Sequence, residues 1–245
     1  MLPFFIVGSL AAFSAGLAQS SLGFGMALIM APCIALVIEP VAVVPTIVLM
    51  STVNTFLVAL RNKRMIKWRL LVPLSIGGLI GASLGLNVLL QLDPDIMRLF
   101  IGILVLTFTG ILWSGWQHPL REKPWTILSV GFVSGFTGGA TSISGPPVVL
   151  FLANQNMPRD VFRANLTSYF FLLNCFMIIW LSWNDVMRVS IVLNAAALFP
   201  ATLTGTLMGL YFGRRIPEKV FRRAVFVMLL IMGCLLAHGS IFSWF

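Results

Sequence analysis

Two long apolar segments of this chain are each interrupted by a short stretch rich in glycine and hydroxyl side chains. Segment 4–38 contains QSSLGFG (residues 19–25), and segment 126–153 contains GGATSISGPP (residues 138–147). Unsatisfied backbone groups in hydrocarbon cost several kcal/mol each, so a break at membrane depth persists only where it is buried in protein or lines a cavity. The two breaks therefore constrain the fold more than any other feature.

The rest of the chain is typical of a polytopic all-α membrane protein. Hydrophobic residues make up 59% of the 245 residues and charged residues only 9%, against roughly 25% charged in soluble domains. The basic residues behind the net charge of +9 lie in short loops, which indicates a topology signal rather than a nucleic-acid partner. Six uninterrupted segments have the length of membrane spans, namely 41–60, 70–91, 96–116, 161–183, 189–211 and 223–244.

The distribution of basic residues indicates how the broken segments lie in the membrane. If both crossed fully, the 16 Lys and Arg residues would divide evenly, 8 on each side. If each dips in and returns, 14 share one side and only Arg98 and Arg188 lie opposite. The positive-inside rule favours the second arrangement. We therefore expect two re-entrant hairpins with legs of about fifteen residues, cytoplasmic basic loops and periplasmic termini.

The two halves of the chain repeat at an offset near 120 residues. Gly25 aligns with Gly145, Asn54 with Asn174, and GASLG (81–85) with GTLMG (205–209). Each half then holds one hairpin and three spans, and an odd number of crossings makes the second half enter from the opposite face. The sequence thus predicts two inverted-topology repeats. They comprise residues 1–116 and 126–245, with the hairpins at 4–38 and 126–153 and a basic cytoplasmic linker at 117–125.

Each hairpin points the N-terminus of its second leg toward the centre, which is an arrangement that favours anions. We expect Ser20, Ser21, Ser142 and Ser144 to cap these termini. Neutral donors inside the spans add to the predicted site: Gln19, Asn54, Thr141 and Asn174. Three alternatives stay open. In the first, the glycines and serines of the breaks serve only tight helix packing. In the second, Asn54 and Asn174 join helices and do not bind substrate. In the third, the GASLG and GTLMG motifs are close-packing faces.

Charged and metal-binding groups are missing from the interior of the spans. The seven acids fall at loops or helix ends, and His238 lies near an exterior end. Cys33, Cys175 and Cys234 are scattered singly and read as small apolar residues. We therefore predict no catalytic residue, metal site or cofactor, because a cation carrier would need buried carboxylates and an enzyme a nucleophile with a base.

Two basic residues follow the second hairpin. Arg159 and Arg163 would form a cytoplasmic vestibule that attracts anions, although ordinary topology signalling explains them equally well.

The stretch GFVSGFTGGATSISGPPVVLFL (131–152), with its degenerate partner and the duplicated layout over residues 4–240, resembles the TauE/SafE family. The resemblance implies export of sulfite, sulfoacetate or other organosulfonates across the bacterial inner membrane. In the second half it places the family motif on Gly135, Gly138, Gly139, Ser142, Ser144, Gly145 and Pro146. In the first half it places the motif on Gly16, Gly23 and Gly25. The predicted substrate-binding set is Gln19, Ser20, Ser21, Gly23, Gly25, Asn54, Thr141, Ser142, Ser144, Gly145 and Asn174.

The expected partners are a small anionic substrate and the lipid bilayer, and the sequence leaves open whether the chain forms a homodimer. A monoanion that leaves a cell gains about 2.3 kcal/mol per 100 mV of inside-negative potential, so export needs no coupling ion. The alternatives are a carrier for another small organic or inorganic anion, an anion channel, or a membrane subunit without transport of its own.

Overall fold

The computed structural model describes residues 2–61, 63–114, 122–155 and 157–212, and the regular structure in these ranges is helical throughout. The helices are α1 (Leu2–Leu22), α2 (Met26–Ala35), α3 (Pro40–Arg61), α4 (Trp68–Gln91), α5 (Pro94–Ser114), α6 (Pro124–Thr141), α7 (Gly145–Ala153), α8 (Arg159–Trp183) and α9 (Val189–Phe212), with a short 3₁₀ turn at Lys63–Met65.

Six of the described helices, α1, α3, α4, α5, α8 and α9, are long and apolar enough to cross a membrane. Five of the uninterrupted segments predicted from the sequence are confirmed as single helices whose ends lie within about two residues of the expected positions. The sixth, 223–244, lies outside the described residues, as do Cys234 and His238.

Both interrupted segments are broken where the sequence predicts it. The first break separates α1 from α2 at Gly23–Gly25, and the second separates α6 from α7 at residues 142–144. Gly23 and Gly25 have φ values of +89° and +109°, and Ser142 has +65°, a region that disfavours side chains other than glycine. Gly23 and Ser142 directly follow the first helix of each pair, and Gly25 is the N-cap of α2.

The helices of each pair are unequal, so the expected legs of about fifteen residues were wrong. α1 has 21 residues and α2 has 10, and α6 and α7 have 18 and 9. At 1.5 Å per residue α1 is about 31 Å long. The reason is local: each first helix continues until the backbone reaches positive φ, and that position is not the middle of the segment.

Helices α4 and α6 pack with their backbones in direct contact. A Cβ on glycines of α4 would lie 2.1 Å from carbonyl oxygens of α6 at three successive turns. These pairs advance together along both helices, which are therefore parallel. The pairs are Gly77 with Leu128, Gly81 with Phe132, and Gly85 with Phe136.

Helices α1 and α9 make an equivalent contact. A Cβ on Gly205 would lie 2.1 Å from the Phe13 carbonyl oxygen, and one on Gly209 would lie 2.7 Å from that of Leu17. These helices are also parallel. The interpretation of GASLG and GTLMG as close-packing faces is thereby confirmed, since only hydrogen fits at these positions.

Helices α3 and α8 run antiparallel through the centre of the described structure. Asn174 Nδ2 donates to Ser51 Oγ at 3.1 Å, and the ring centroids of Phe56 and Phe171 lie 5.4 Å apart. Moving forward along α3 from Ser51 to Phe56 thus corresponds to moving backward along α8.

The start of α8 lies beside the basic loop that joins α3 to α4. The backbone N–H of Lys67 donates to Asn165 Oδ1 at 2.9 Å, and Asn165 Nδ2 donates to the Met65 carbonyl at 3.5 Å. The loop and the first two turns of α8 are therefore at the same end of the molecule.

Candidate functional site

The two helix breaks meet at one cavity. Phe24 of the first break lies 3.8 Å from the position that a Cβ on Gly145 would occupy at the start of α7. The cavity has a volume of about 30 Å³, and on this scale one water molecule needs roughly 10–15 Å³. It is lined by Gln19, Phe24, Gly25, Met26, Ala27, Leu28, Ile47, Val48, Ser51, Ser142, Ile143, Ser144, Gly145, Pro146, Phe170, Asn174 and Met177.

The cavity lies at the middle of the long antiparallel helices. Ser51 is eleven residues after the start of α3 and ten before its end. Phe170 is eleven residues after the start of α8 and thirteen before its end. Both helices have spanning length, so the cavity is far from either end of the helices that enclose it.

The polar lining residues are neutral amides and hydroxyls. Gln19, Ser51, Ser142 and Asn174 are buried and Ser144 is half-buried. Of the described residues that line the cavity, none carries a charge. A ligand in this cavity would meet dipoles and hydrogen-bond donors rather than a counter-ion.

The start of α2 supplies donors to the cavity. The N–H of Met26 donates to Gln19 Oε1 at 3.1 Å, while the lining residues Ala27 and Leu28 have no partner for their N–H groups among the described residues. Gln19 Nε2 makes no hydrogen bond to another residue within that part of the chain. Free N–H groups at a helix start, with the positive end of the helix dipole, form an anion-binding arrangement.

The start of α7 differs because Pro146 and Pro147 lack an N–H. Only the Gly145 N–H is offered to the cavity at this point, and it has no partner among the described residues. The Ser144 carbonyl accepts from Ser134 Oγ at 2.6 Å, which brings the first residue before α7 beside a residue two to three turns earlier on α6.

Of the four serines expected to cap the second legs, only Ser144 occupies an N-cap position, and it makes no capping hydrogen bond; for the other three the prediction was wrong. Ser142 is the C-cap of α6 and donates to the Val44 carbonyl at 3.3 Å, and Ser144 precedes α7 without a capping bond. Ser20 and Ser21 lie within α1, where Ser20 Oγ donates to the Gly16 carbonyl at 2.8 Å and Ser21 Oγ to that of Gly209 at 3.4 Å. A serine inside a helix satisfies its hydroxyl on a nearby carbonyl instead of capping the next helix.

Six of the eleven predicted binding residues line the cavity: Gln19, Gly25, Ser142, Ser144, Gly145 and Asn174. The other five lie elsewhere. Asn54 Nδ2 donates to Thr206 Oγ1 at 3.1 Å and joins α3 to α9. Thr141 Oγ1 donates to the Thr137 carbonyl at 2.8 Å and accepts from the Ile143 N–H. Ser20 and Ser21 lie in the last turn of α1, and Gly23 provides the turn after it.

Several lining residues were missed by sequence reasoning. Phe170 and Met177 share the cavity with Asn174. Phe170 and Met177 lie four residues before and three after Asn174, so helical spacing places them on its face. That spacing was the available signal. Phe24 had none, because its position depends on the shape of the first break.

Arg159 and Arg163 contact the end of α1 rather than the cavity. Arg163 Nη2 donates to the Ser20 carbonyl at 2.5 Å, and Arg159 Nη2 donates to that of Ser21 at 3.3 Å. These are among the carbonyls that a helix end leaves without partners, and cations are favourable there. Both guanidiniums therefore stabilise the first break from outside the cavity lining.

Comparison with known proteins gives a consistent result. The family model described as "Sulfite exporter TauE/SafE" matches residues 8–236. The chain is 28% identical over 238 residues to "Probable sulfite/organosulfonate exporter TauE" of Cupriavidus necator, which covers 92% of this chain and 91% of that protein. A shorter match, 31% identical over 86 residues, covers 33% of the chain and 65% of "Fluoride-specific ion channel FluC" of Mannheimia succiniciproducens. No solved structure matches.

Proposed function

This chain belongs to the TauE/SafE sulfite exporter family of multi-pass membrane transporters, and we propose that it is a secondary transporter that exports a small sulfur-containing oxyanion. The substrate would be sulfite, sulfoacetate or another organosulfonate, bound in the cavity between the two helix breaks. The observation that carries this proposal is the neutral, donor-lined cavity at which the starts of α2 and α7 meet.

The binding residues in this proposal are those that line the cavity. Gln19 Nε2 and the N–H groups of Ala27, Leu28 and Gly145 would donate to the oxyanion, and Ser144 and Asn174 would orient it. Helix dipoles and amide groups bind an anion although the site has no fixed positive charge. Such binding is reversible, so the anion can be released as well as bound. The described lining residues offer no nucleophile paired with a base, which favours a carrier over an enzyme.

We propose that the chain consists of two inverted-topology repeats, 1–116 and 126–245, joined by the linker 117–125. Exchange of the two halves converts the α1–α9 pair into the α6–α4 pair, and both pairs are parallel and glycine-rich. The same exchange maps α3 onto α8 and α8 onto α3, so the antiparallel α3–α8 pair is unchanged. Reciprocal packing of this kind supports a two-fold relation between the halves.

We also propose that each broken segment is a re-entrant hairpin. The contact of Lys67 with Asn165 supports this, because a full crossing by segment 126–153 would place the start of α8 at the end opposite the 63–67 loop. The first break contacts the start of α8 through Arg163, and the second contacts the start of α3 through Val44. The hairpins would thus enter from opposite faces and meet near the midplane.

The proposed orientation places the basic loops in the cytoplasm and the termini in the periplasm of the bacterial inner membrane, with alternating access around the shared cavity. Export would be uniport, since the membrane potential drives an anion outward by about 2.3 kcal/mol per charge at 100 mV. Neither a coupling ion nor a cofactor is part of the proposal.

Counterflow in proteoliposomes tests the proposal. Purified protein, loaded with unlabelled sulfite, should accumulate labelled sulfite transiently from outside, since a carrier exchanges substrate across the membrane. A channel would give no such trans-stimulation, and a subunit without its own transport would be inert. Either result would contradict the proposed function.

A further inference from the structure

We infer that Ser134 and Tyr169, two buried residues outside the cavity lining, position the Gly145 N–H for the anion through a chain of hydrogen bonds. The chain runs from the Tyr169 hydroxyl to Ser134 Oγ and from there to the Ser144 carbonyl. This inference rests on the proposed transport function. It adds two residues that set the affinity for the substrate without contacting it.

The start of α7 has a single amide to offer, which makes the direction of that amide important. Pro146 and Pro147 lack an N–H, whereas the start of α2 presents the free N–H groups of Ala27 and Leu28. Gly145 lines the cavity, and its N–H has no partner among the described residues. If this N–H pointed elsewhere, neither of the two residues that follow it could replace it.

The hydrogen bond to the Ser144 carbonyl determines that direction. This carbonyl and the Gly145 N–H belong to one planar peptide group, and because the group is trans the two bonds point in opposite directions. Ser134 Oγ donates to the carbonyl at 2.6 Å and holds it toward α6. The Gly145 N–H therefore points away from α6, at a residue that lines the cavity.

Tyr169 supports Ser134 from α8. Both side chains are fully buried, and the Tyr169 hydroxyl donates to Ser134 Oγ at 3.0 Å. A hydroxyl that accepts a hydrogen bond becomes a better donor, because each bond of such a chain polarises the next, most of all in a low dielectric. The Gly131 carbonyl, at 3.3 Å, is a second acceptor for the Tyr169 hydroxyl. An anion at Gly145 would accept from the last donor of the chain.

Two glycines make room for this chain. A Cβ on Gly78 of α4 would lie 2.7 Å from the Tyr169 hydroxyl oxygen, and one on Gly138 of α6 would lie 2.8 Å from Ser144 Cβ. Gly138 is four residues after Ser134 and therefore on the same face of α6. The absence of a side chain at Gly138 lets the second break approach α6 closely enough for the Ser144 carbonyl to reach Ser134.

The first break is held in another way. At the same offset of the two halves, Ser14 corresponds to Ser134 but Leu49 corresponds to Tyr169, and leucine cannot donate a hydrogen bond. At that break Gln19 Oε1 accepts from the first N–H of α2 instead. The chain thus belongs to the half in which two prolines remove the other donors.

The affinity of purified protein for sulfite, measured by isothermal titration in detergent, tests the chain. Ser134→Ala frees the Ser144 carbonyl and should weaken binding about tenfold, whereas Tyr169→Phe keeps that bond and should weaken binding about threefold. In the Ser134→Ala background Tyr169→Phe should have no further effect, because Tyr169 acts through Ser134. Thr137→Val is the matched control. It removes a buried hydroxyl that bonds only within α6 and should leave the affinity unchanged.

Nuclear magnetic resonance of the Gly145 amide separates positioning from a general loss of stability. With ¹³C-carbonyl serine and ¹⁵N-glycine, only a glycine that follows a serine gives a correlated signal, and the sequence has Gly115, Gly135 and Gly145 in that position. Ser144→Ala removes the Gly145 signal and so assigns it. Saturating sulfite should move the Gly145 amide proton downfield in wild type and by less in Ser134→Ala, which loses only the Gly135 signal.

Three results would overturn the inference while leaving the transport function intact. The first is wild-type affinity in Ser134→Ala, and the second is equal loss of affinity from Tyr169→Phe in both backgrounds. The third is a Gly145 amide in wild-type protein that does not respond to bound sulfite, and this test stands even if a variant fails to fold. Wild-type protein that neither binds sulfite nor shows counterflow would instead contradict the proposed function and the inference with it.

Discussion

The side-chain oxygen of Asn165 accepts a hydrogen bond from the backbone N–H of Lys67 at 2.9 Å. The same side chain donates through Nδ2 to the carbonyls of Val161, at 2.7 Å, and Met65. One buried asparagine therefore ties the start of α8 to the basic loop between α3 and α4. This contact determines the direction of α8 relative to α3.

The first prediction concerns the membrane face of this contact. Lys63 and Asp160 are both exposed, and in a variant without native cysteines, Lys63→Cys and Asp160→Cys should react with an impermeant maleimide only from the cytoplasmic side. Arg188→Cys, at the start of α9, should react only from the periplasmic side. Labelling of residues 63 and 160 from opposite sides would contradict the re-entrant arrangement.

The second prediction concerns the glycine contact between α4 and α6. A Cβ on Gly135 would lie 2.0 Å from the Gly78 carbonyl oxygen, so Gly135→Ala should force the helices apart and lower stability by about 1–3 kcal/mol. Gly110→Ala on α5 is the matched control, because no atom lies within 4 Å of the added methyl. Thermal unfolding in detergent measures both, and equal melting temperatures would show that the contact is not rigid.

The third prediction concerns Gln19. Gln19→Leu removes the acceptor of the Met26 N–H and an amide donor from the cavity, and it should weaken sulfite binding about tenfold, or ~1.4 kcal/mol. Thr46→Val is the control, since the buried Thr46 hydroxyl bonds within α3 to Ala42 and does not line the cavity. Isothermal titration with sulfite distinguishes the two, and unchanged affinity in Gln19→Leu would remove this residue from the site.

The fourth prediction concerns the serines of the second break. Ser144→Ala and Ser142→Ala should lower the affinity for the anion with expression intact. Ser142 has a positive φ, where a residue with a Cβ, whether serine or alanine, costs about 1–2 kcal/mol relative to glycine. Ser142→Ala therefore removes the hydroxyl alone, and Ser142→Gly removes the hydroxyl and relieves the backbone strain. Ser75→Ala on α4, outside the cavity, is the control. Wild-type binding by Ser144→Ala and Ser142→Gly would exclude both hydroxyls.

The fifth prediction concerns Arg163, which donates to the Ser20 carbonyl at the end of α1. Arg163→Gln should destabilise the first break and lower the melting temperature, because a cation at a helix C-terminus contributes about 0.3–1 kcal/mol and more when partly buried. Arg69→Gln, at an exposed position in the first turn of α4, should change it little. If Arg163→Gln instead affected only the rate of anion entry, the vestibule interpretation would be favoured.

Much of the fold follows from local patterns in the chain. The ends of α3, α4, α5, α8 and α9 were predicted closely because apolar length and flanking polar residues determine them. The positions of the two breaks followed from glycine and hydroxyl clusters. The lengths of the paired helices did not, since a helix ends where positive φ becomes necessary, and the composition of a segment does not reveal which residue takes that conformation.

The candidate site shows the same division between features that local sequence predicts and features that it does not. Gln19, Gly25 and Gly145 were found because they lie in or beside the breaks, and Asn174 because it repeats Asn54. Both asparagines join helices, Asn54 through Thr206 on α9 and Asn174 through Ser51 on α3, but only Asn174 lines the cavity. Equivalent positions in two repeats meet different neighbours, so repetition in sequence does not imply repetition of contacts.

The sequence by itself determined the class of the protein, the two breaks and the neutrality of its interior, because each depends on the residues within one segment. Only the tertiary structure decided that Phe24 lies against Gly145, that Ser51 faces Asn174, and that Arg159 and Arg163 bind the end of α1. Those contacts join residues far apart in the chain, and their geometry depends on how closely the glycine-rich helices pack.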